Sequence, residues 1–509
     1  MRKPLLSLAA VALVATACSS ASSSIGPSER PAPPQAYAPS AAASAAPPAY
    51  PVATPYDGVT YQDHGVNPFV DPREDRVSTF ALDVDTASYA IAQRYIEDGN
   101  RPDPASVRVE EWVNAFDQGY RAPGDDAFAI SVDGGPTPFT GPDEILVRVG
   151  LQAREVRERQ RQDASLTFVI DTSGSMQREG RLELVKDALR VLVDELGPDD
   201  RVAVVTFGSD ARLVLGSTPA DDRRAILGAI DRLQPDGSTN LEAGLRLGYE
   251  QARRSLTENG IDRVVVASDG VANVGLTDAD GILRGIREDA ANGIELVSVG
   301  VGMGNYNDAL LEQLADQGDG FYAYVNGIDD AKTLFRERLT STLQTVALDA
   351  KAQVEFDPRA VEAYRLVGYE DRDVPDGSFT DPRVDAGAIG AGDAVTALYA
   401  VRLAADGPGR DPFATIRLRW TDPDSGDTRE LRRDIRSGDL AGSFDRTDPY
   451  FRLDAIVAAS AEVLRDSPYA DRLRIADIQH VADRFGDLPR SDQVDGFLHL
   501  LEAMRRIDD

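Results

Sequence analysis

The stretch Phe168–Lys186, FVIDTSGSMQREGRLELVK, decides how the rest of this 509-residue chain is read. An apolar strand runs directly into Asp171, Ser173 and Ser175 on a glycine-bearing turn, and a helical pattern follows. A packed core has no use for one carboxylate and two hydroxyls at a strand end. A ligand does, because open parallel sheets collect ligands outside the carboxyl ends of their strands.

The surroundings support such a sheet. Continuous apolar runs, LTFVID, RVAVVTF, RVVVASD and IELVSVGVG, alternate with helix-period segments such as RLELVKDALRVLVDEL, NLEAGLRLGYEQARRSL and NDALLEQLADQ. Strands without polar alternation are buried on both faces, so the pattern predicts an α/β fold over 165–345, a doubly wound, mainly parallel sheet. Two more polar clusters fall at strand ends or in neighbouring loops: Thr239 in DGSTN and Asp269 in VVVASDG. Asp171, Ser173, Ser175, Thr239 and Asp269 are all hard oxygen donors with no His or Cys among them. Mg²⁺ favours that donor set, with Mn²⁺ or Ca²⁺ as substitutes. Taken singly, Ser173, Ser175 and Thr239 suit turns or helix caps, and Asp269-Gly270 suits an ordinary turn. Their joint placement on one face of the expected sheet is what points to a cation.

DTSGS together with Thr239 and Asp269 resembles the metal-ion-dependent adhesion site of the von Willebrand factor type A domain. The resemblance implies that Ser173 and Ser175 coordinate the ion directly and Thr239 directly or through water. Asp171 and Asp269 would act partly through water, and an Asp or Glu carboxylate of a partner protein would complete the shell. It further implies specificity set by the loops at 176–181 and 271–277, and a last helix, at about 329–345, that shifts on ligation. The stretches VNPFVDPREDRVSTFALDVDTASYAIAQRYIEDGNRPDPASVRVEEWVNAF, AYRLVGYEDR and DAGAIGAGDAVTALYAVRL resemble the N- and C-terminal regions of a family of bacterial type A lipoproteins.

Strands at VSTFALDVDTASY, AFAISVDGG and EILVRVGLQAREV, with helices at ASYAIAQRYIEDG and PDPASVRVEEWVNAF, give an expected α+β unit over 66–160. Antiparallel strands at AKAQVEFDP, YRLVGYE, AVTALYAVRL and FATIRLRWTD precede a helical tail. That predicts a β-sandwich-like and helical unit over 346–509. Asp83 and Asp85 with Ser88 superficially resemble a second acid-hydroxyl loop, but a strand end and helix cap account for them more simply.

The N-terminus reads as an export signal: Arg2 and Lys3, an apolar run Leu5–Val14, then small residues before Cys18. ATAC resembles a bacterial lipobox, which makes 1–18 a signal peptide and Cys18 the acylated anchor. With 1 Cys the chain forms no internal disulfide. Residues 19–60, rich in Ala, Ser and Pro, cannot bury enough to offset chain entropy and read as a disordered tether. The expected location is the cell envelope, lipid-anchored, at the outer membrane if the organism has two.

Asp and Glu number 85 against 54 Lys and Arg, a net charge of −31 that argues against nucleic acid as a partner. No GxSxG, HExxH or P-loop motif is present, and His64, His480 and His499 stand near no nucleophile. The expectation is therefore a non-enzymatic binding or adhesion module. The alternatives are an assembly or maturation scaffold working with an ATPase system and, more weakly, a metal-dependent hydrolase.

Overall fold

The computed structural model describes residues 61–508 except 83, 125, 157–160, 258–259, 271–278, 285–292, 303–307, 319, 338–342, 382–385 and 406–408. The expected signal peptide, Cys18, the tether, Asp83 and the 271–277 loop lie outside the described residues.

Strand β1 (Val77–Ala81) leads to helix α1 (Ala87–Glu97), and a short helix α2 (Val109–Asn114) follows. The sequence pattern reads as one helix from the Pro-rich turn through Trp112. Instead Asp103 caps a separate three-residue turn by accepting from the Ala105 amide, and the extended backbone at Val107 and Arg108 divides the two pieces. Next come β2 (Phe128–Gly135) and β3 (Glu144–Ala153).

The central segment contains β4 (Ala164–Asp171), α3 (Arg181–Glu195), β5 (Arg201–Phe207), β6 (Ala211–Pro219), α4 (Arg223–Asp231) and α5 (Leu241–Arg254). It continues with β7 (Ile261–Ser268), α6 (Ala279–Arg284), β8 (Ile294–Val301), α7 (Asp308–Asp316), β9 (Tyr322–Val325) and α8 (Ile328–Lys332). Its sheet has the order β6-β5-β4-β7-β8-β9, parallel except for β6. Every residue of β4 and β7 is buried, which explains their unbroken apolar sequences. Leu182, Val185 and Leu189 of α3 pack on one face with Ile226 of α4, while Leu245 and Tyr249 of α5 pack on the other with Leu314 of α7. A Cβ at Gly248 would stand 2.4 Å from Val169, so α5 reaches its depth against β4 only because that position has no side chain. The half-exposed strand β6 carries little apolar signal and was not apparent in the sequence.

The final segment holds β10 (Thr345–Phe356), β11 (Val361–Val367), β12 (Ala388–Gly390), β13 (Ala394–Leu403), β14 (Ala414–Thr421) and β15 (Thr428–Ile435). Helices α9 (Pro449–Leu464), α10 (Ile475–Arg484) and α11 (Asp492–Asp508) follow. The strand pairing joins the first and last segments. One sheet runs β1-β10-β14-β15 with β12 added on β10; the other runs β11-β13-β3-β2. Phe80 of β1 lies opposite Ala352 of β10, and Val149 of β3 opposite Ala397 of β13. The separate units expected at 66–160 and 346–509 are therefore one sandwich, with the parallel-sheet segment inserted between β3 and β10. The physical reason is size: a five-residue strand and a two-stranded hairpin cannot bury a face by themselves. Their shared core takes Phe80, Phe128 and Val149 from the first segment and Val354, Phe356, Tyr399 and Trp420 from the last. Helix α2 and the C-terminal helices cover the outer face of the second sheet around Trp112 and Phe497.

The insert and the sandwich meet through buried charge. The Arg108 guanidinium pairs with Glu111 at 2.9 Å and with Glu312 of α7 at 2.8 Å. Asp85 accepts from the Tyr322 amide at 3.1 Å and from Arg372 at 3.0 Å, so it joins β9 to the sandwich. Ser88 donates to the Ser106 carbonyl at 2.7 Å, and its own amide is capped by Glu111 at 2.7 Å. Asp85 and Ser88 thus have structural partners, and Thr86 at the N-cap makes no side-chain capping bond.

Two outcomes test the interleaving. Phe80→Ala is expected to cost about 3–5 kcal/mol in chemical denaturation, as for a large core truncation. Residues 66–160 expressed alone are expected to lack dispersed amide resonances; a folded fragment would contradict the shared sandwich.

Candidate metal site

Asp171 is the last residue of β4, and the β4–β7 register, with Ile170 beside Ala267, brings it level with Ser268. The Ser268 hydroxyl donates to Asp171 Oδ2 at 2.6 Å, and the Ser173 amide donates to Oδ1 at 2.7 Å. That second bond turns the chain back over the strand end, a role suited to Asp. The Ser173 and Ser175 hydroxyls then lie 2.9 Å apart. Ser173 makes no side-chain capping bond, so helix capping does not explain it.

The second loop is stitched to the first. The Gly174 amide donates to the Gly237 carbonyl at 3.0 Å, and the Asp236 amide donates to the Thr172 carbonyl. Thr172 in turn donates from its amide and its hydroxyl to Phe207 at the end of β5. Thr239 is buried here. The cap of α5 belongs to Asn240, whose side chain accepts from the Ala243 amide at 3.1 Å, so Thr239 is not needed for capping.

Asp269 follows β7 and is 0% exposed. Its Oδ2 accepts from Arg181 Nη1 at 2.9 Å, while its Oδ1 is buried with no hydrogen-bond partner among the described residues. Ser268 and Arg181 were not apparent as site residues in the sequence. Ser268 is a lone hydroxyl at the end of an apolar strand. Arg181 is a cation at the first position of a helix, where the dipole disfavours it, and that misfit was the available signal.

Electrostatics follow from burial. Desolvation pushes the Asp171 carboxyl up to about 7, and the neighbouring Asp269 charge adds to the rise, against opposing bonds from Ser268 and Ser173. Burial also raises Asp269, with the Ser175 hydroxyl and the Arg181 guanidinium pulling it back. The Asp171 and Asp269 carboxylates and the Ser173 and Ser175 hydroxyls thus gather at one strand end, where one buried carboxylate oxygen has no hydrogen-bond partner among the described residues. A hard divalent cation fits that set: it would supply the missing partner and would relieve the repulsion between Asp171 and Asp269. Among the described residues no three His, Cys, Asp or Glu side chains gather as a metal cage, so the set is hydroxyl-rich rather than carboxylate-rich.

Residues 165–337 match the von Willebrand factor type A domain, residues 56–148 a von Willebrand factor family, and residues 341–507 the C-terminal family of uncharacterized protein YfbK. The fold and these matches define a protein built around a type A domain, a class whose members are mostly non-enzymatic and often mediate protein interactions or adhesion. Uncharacterized protein YfbK of Escherichia coli (strain K12) is 33% identical over 475 residues, covering 88% of this chain and 81% of that protein. The chain belongs to the YfbK family. Uncharacterized protein sll0103 of Synechocystis is 28% identical over 301 residues, covering 56% of this chain and 68% of that protein. Among solved structures, a von Willebrand factor type A protein from Catenulispora acidiphila overlaps with a TM-score of 0.45 at 17% identity, covering 76% of this chain and 91% of that one.

The raised Asp171 pKa has a definite sign. Without metal the folded protein keeps that proton to about pH 7, whereas the unfolded chain releases it near pH 4. Folding takes up a proton between those limits, so stability in EDTA falls as pH rises through the window. The unfolding temperature in EDTA should drop from pH 4.5 to pH 7.5, Asp171→Asn should flatten that contribution, and Mg²⁺ should reverse the drop at pH 7.5. Superimposable parent and Asp171→Asn profiles would contradict the assignment.

Proposed function

We propose that the chain is a lipid-anchored module of the cell envelope that holds Mg²⁺, or Mn²⁺ or Ca²⁺ in its place, on Asp171, Ser173, Ser175, Thr239 and Asp269. There it ligates an Asp or Glu carboxylate of a partner protein. The observation that carries this reading is the buried Asp269 Oδ1, unpartnered among the described residues and near a second buried carboxylate at the end of a parallel sheet. Bound at this place, the cation would offer a coordination position that water or an incoming carboxylate can fill. The chain's own residues do the rest. Ser268 and the Ser173 amide orient Asp171, the hydrogen-bonded loops fix the hydroxyls, and half-buried Ser175 beside exposed Gly174 keeps the rim open to solvent.

A binding role also suits what surrounds the site. His64, His480 and His499 are all exposed, and none is placed as a base beside a site hydroxyl. Attachment is assigned to acylated Cys18 and reach to the 19–60 tether, on the lipobox-like ATAC and the Ala/Ser/Pro-rich sequence that follows.

Titration calorimetry should show Mg²⁺ binding to the parent and a loss of at least about tenfold in Asp171→Ala and Ser173→Ala, with circular dichroism unchanged. Equal binding by parent and variants would remove these residues from the site. Envelope proteins retained on the immobilised protein in Mg²⁺ should elute with EDTA and be absent from the Asp171→Ala column. Palmitate labelling should vanish in Cys18→Ala; labelling that persists would overturn the anchor.

A further inference from the structure

The buried Arg181 guanidinium is foreign to a site made of hard oxygen donors. Both side chains of the Arg181–Asp269 pair are almost wholly enclosed, 2% and 1% exposed, at 2.9 Å. Three features of the backbone exist to put the arginine there. Glu179, a non-glycine residue, adopts φ 52°, and Gly180 follows at φ 72°, so two successive left-handed residues swing the start of α3 inward. Arg181 then occupies the first helical position, where a cation opposes the helix dipole. Across from it, past the end of β8, Gly302 has φ 75°, and a Cβ there would stand 2.1 Å from Arg181 Nε. The slot is cut for this side chain at a cost in local backbone strain.

Resting on the metal reading above, we propose that Arg181 is a positioning and charge-setting residue: it holds Asp269 by Oδ2 so that Oδ1 faces the cation, and it cancels one of the site's two negative charges. Glu179, 3.6 Å from Arg181, and Arg178, whose charge also lowers Asp269, cancel one another. Asp171 and Asp269 contribute −2, Arg181 contributes +1 and a divalent cation +2, leaving the loaded site at +1. One partner carboxylate brings it to zero. Without Arg181 the loaded site is already neutral and has no electrostatic demand for an anion. The arginine therefore weakens cation binding and strengthens selection for an acidic partner, a trade that favours ligation over storage of the ion.

The test is Mg²⁺ titration calorimetry at pH 7.5 on the full chain, comparing the parent with Arg181→Met, Arg181→Lys and Gly302→Ala. Loss of the nearby positive charge in Arg181→Met should tighten Mg²⁺ binding by on the order of tenfold. Arg181→Lys, which keeps the charge, should stay within a few-fold of the parent. Gly302→Ala, which expels the guanidinium without altering any oxygen donor, should tighten binding as Arg181→Met does, and it stands in if Arg181→Met does not fold. A purely structural arginine predicts the opposite, weaker Mg²⁺ binding along with a lower unfolding temperature. Mg²⁺ affinity unchanged or weakened in both Arg181→Met and Gly302→Ala overturns the inference while leaving the metal site intact. A parent that binds no Mg²⁺ overturns both.

Discussion

Two like charges buried at the ends of adjacent parallel strands are the constraint on which the site depends. Asp171 closes β4, Asp269 follows β7, and the two strands are direct neighbours at the middle of the sheet. Neither carboxylate reaches bulk water. A packed domain tolerates such a pair only if something offsets it, and the structure offers several partial remedies: the Ser268 and Ser173 donors on Asp171, and Arg181 on Asp269. These leave one oxygen unsatisfied and the Asp171 proton held unusually long. Beside it the hydroxyls of Ser173 and Ser175 lie 2.9 Å from one another. The proposed cation would relieve that charge imbalance.

The sequence made the central sheet readable for a physical reason. Strands buried on both faces must be apolar throughout, so β4, β5, β7 and β8 stand out as unbroken runs, and the helices between them show a 3.6-residue period. Asp171 and Asp269 are legible because each sits where such a run stops, Ser173 and Ser175 because they follow at once, and Thr239 only as a hydroxyl in a glycine-bearing loop. What escaped was whatever lacks that contrast. β6 and β15 are edge strands with mostly exposed or half-exposed residues, and β9 is only four residues long. Ser268 was hidden because one hydroxyl at the end of an apolar strand looks like ordinary tolerance. Arg181 was hidden because an arginine after a glycine looks like a helix start, and only the fold reveals that it turns inward to Asp269.

That the flanking segments share one sandwich is hidden for a different reason. Local patterns identify strands but not their partners. β1 pairs with a strand more than 260 residues later, and β3 with one more than 240 later, as the Phe80–Ala352 and Val149–Ala397 registers show. No turn chemistry or periodicity encodes such a pairing. It follows from what each segment lacks: a lone strand and a hairpin need a second apolar face, and the sheet after residue 345 supplies it. The buried Arg108–Glu312 bridge, the half-exposed Arg372–Asp316 bridge and the hydrogen bond from the Tyr322 amide to Asp85 then bind the inserted domain to that sandwich through α7 and β9, at the edge of the sheet away from β6.

The inserted topology also decides how the molecule carries mechanical load. The parallel-sheet domain leaves the sandwich after β3 and returns at β10, and Gln162 and Gln344 touch at that doorway, with the Gln162 amide donating to Gln344 at 3.1 Å. A pull exerted at the rim of the domain therefore reaches its base through two chain connections side by side. Tension is shared between them, and neither end can be drawn away from the other to unravel the sheet strand by strand. Beyond the doorway the force enters β3 and β10, which belong to different layers of the sandwich, each hydrogen-bonded along its length to a strand from the opposite flank. The inserted domain is thus tied at both ends, an arrangement that opposes its being drawn out of the sandwich.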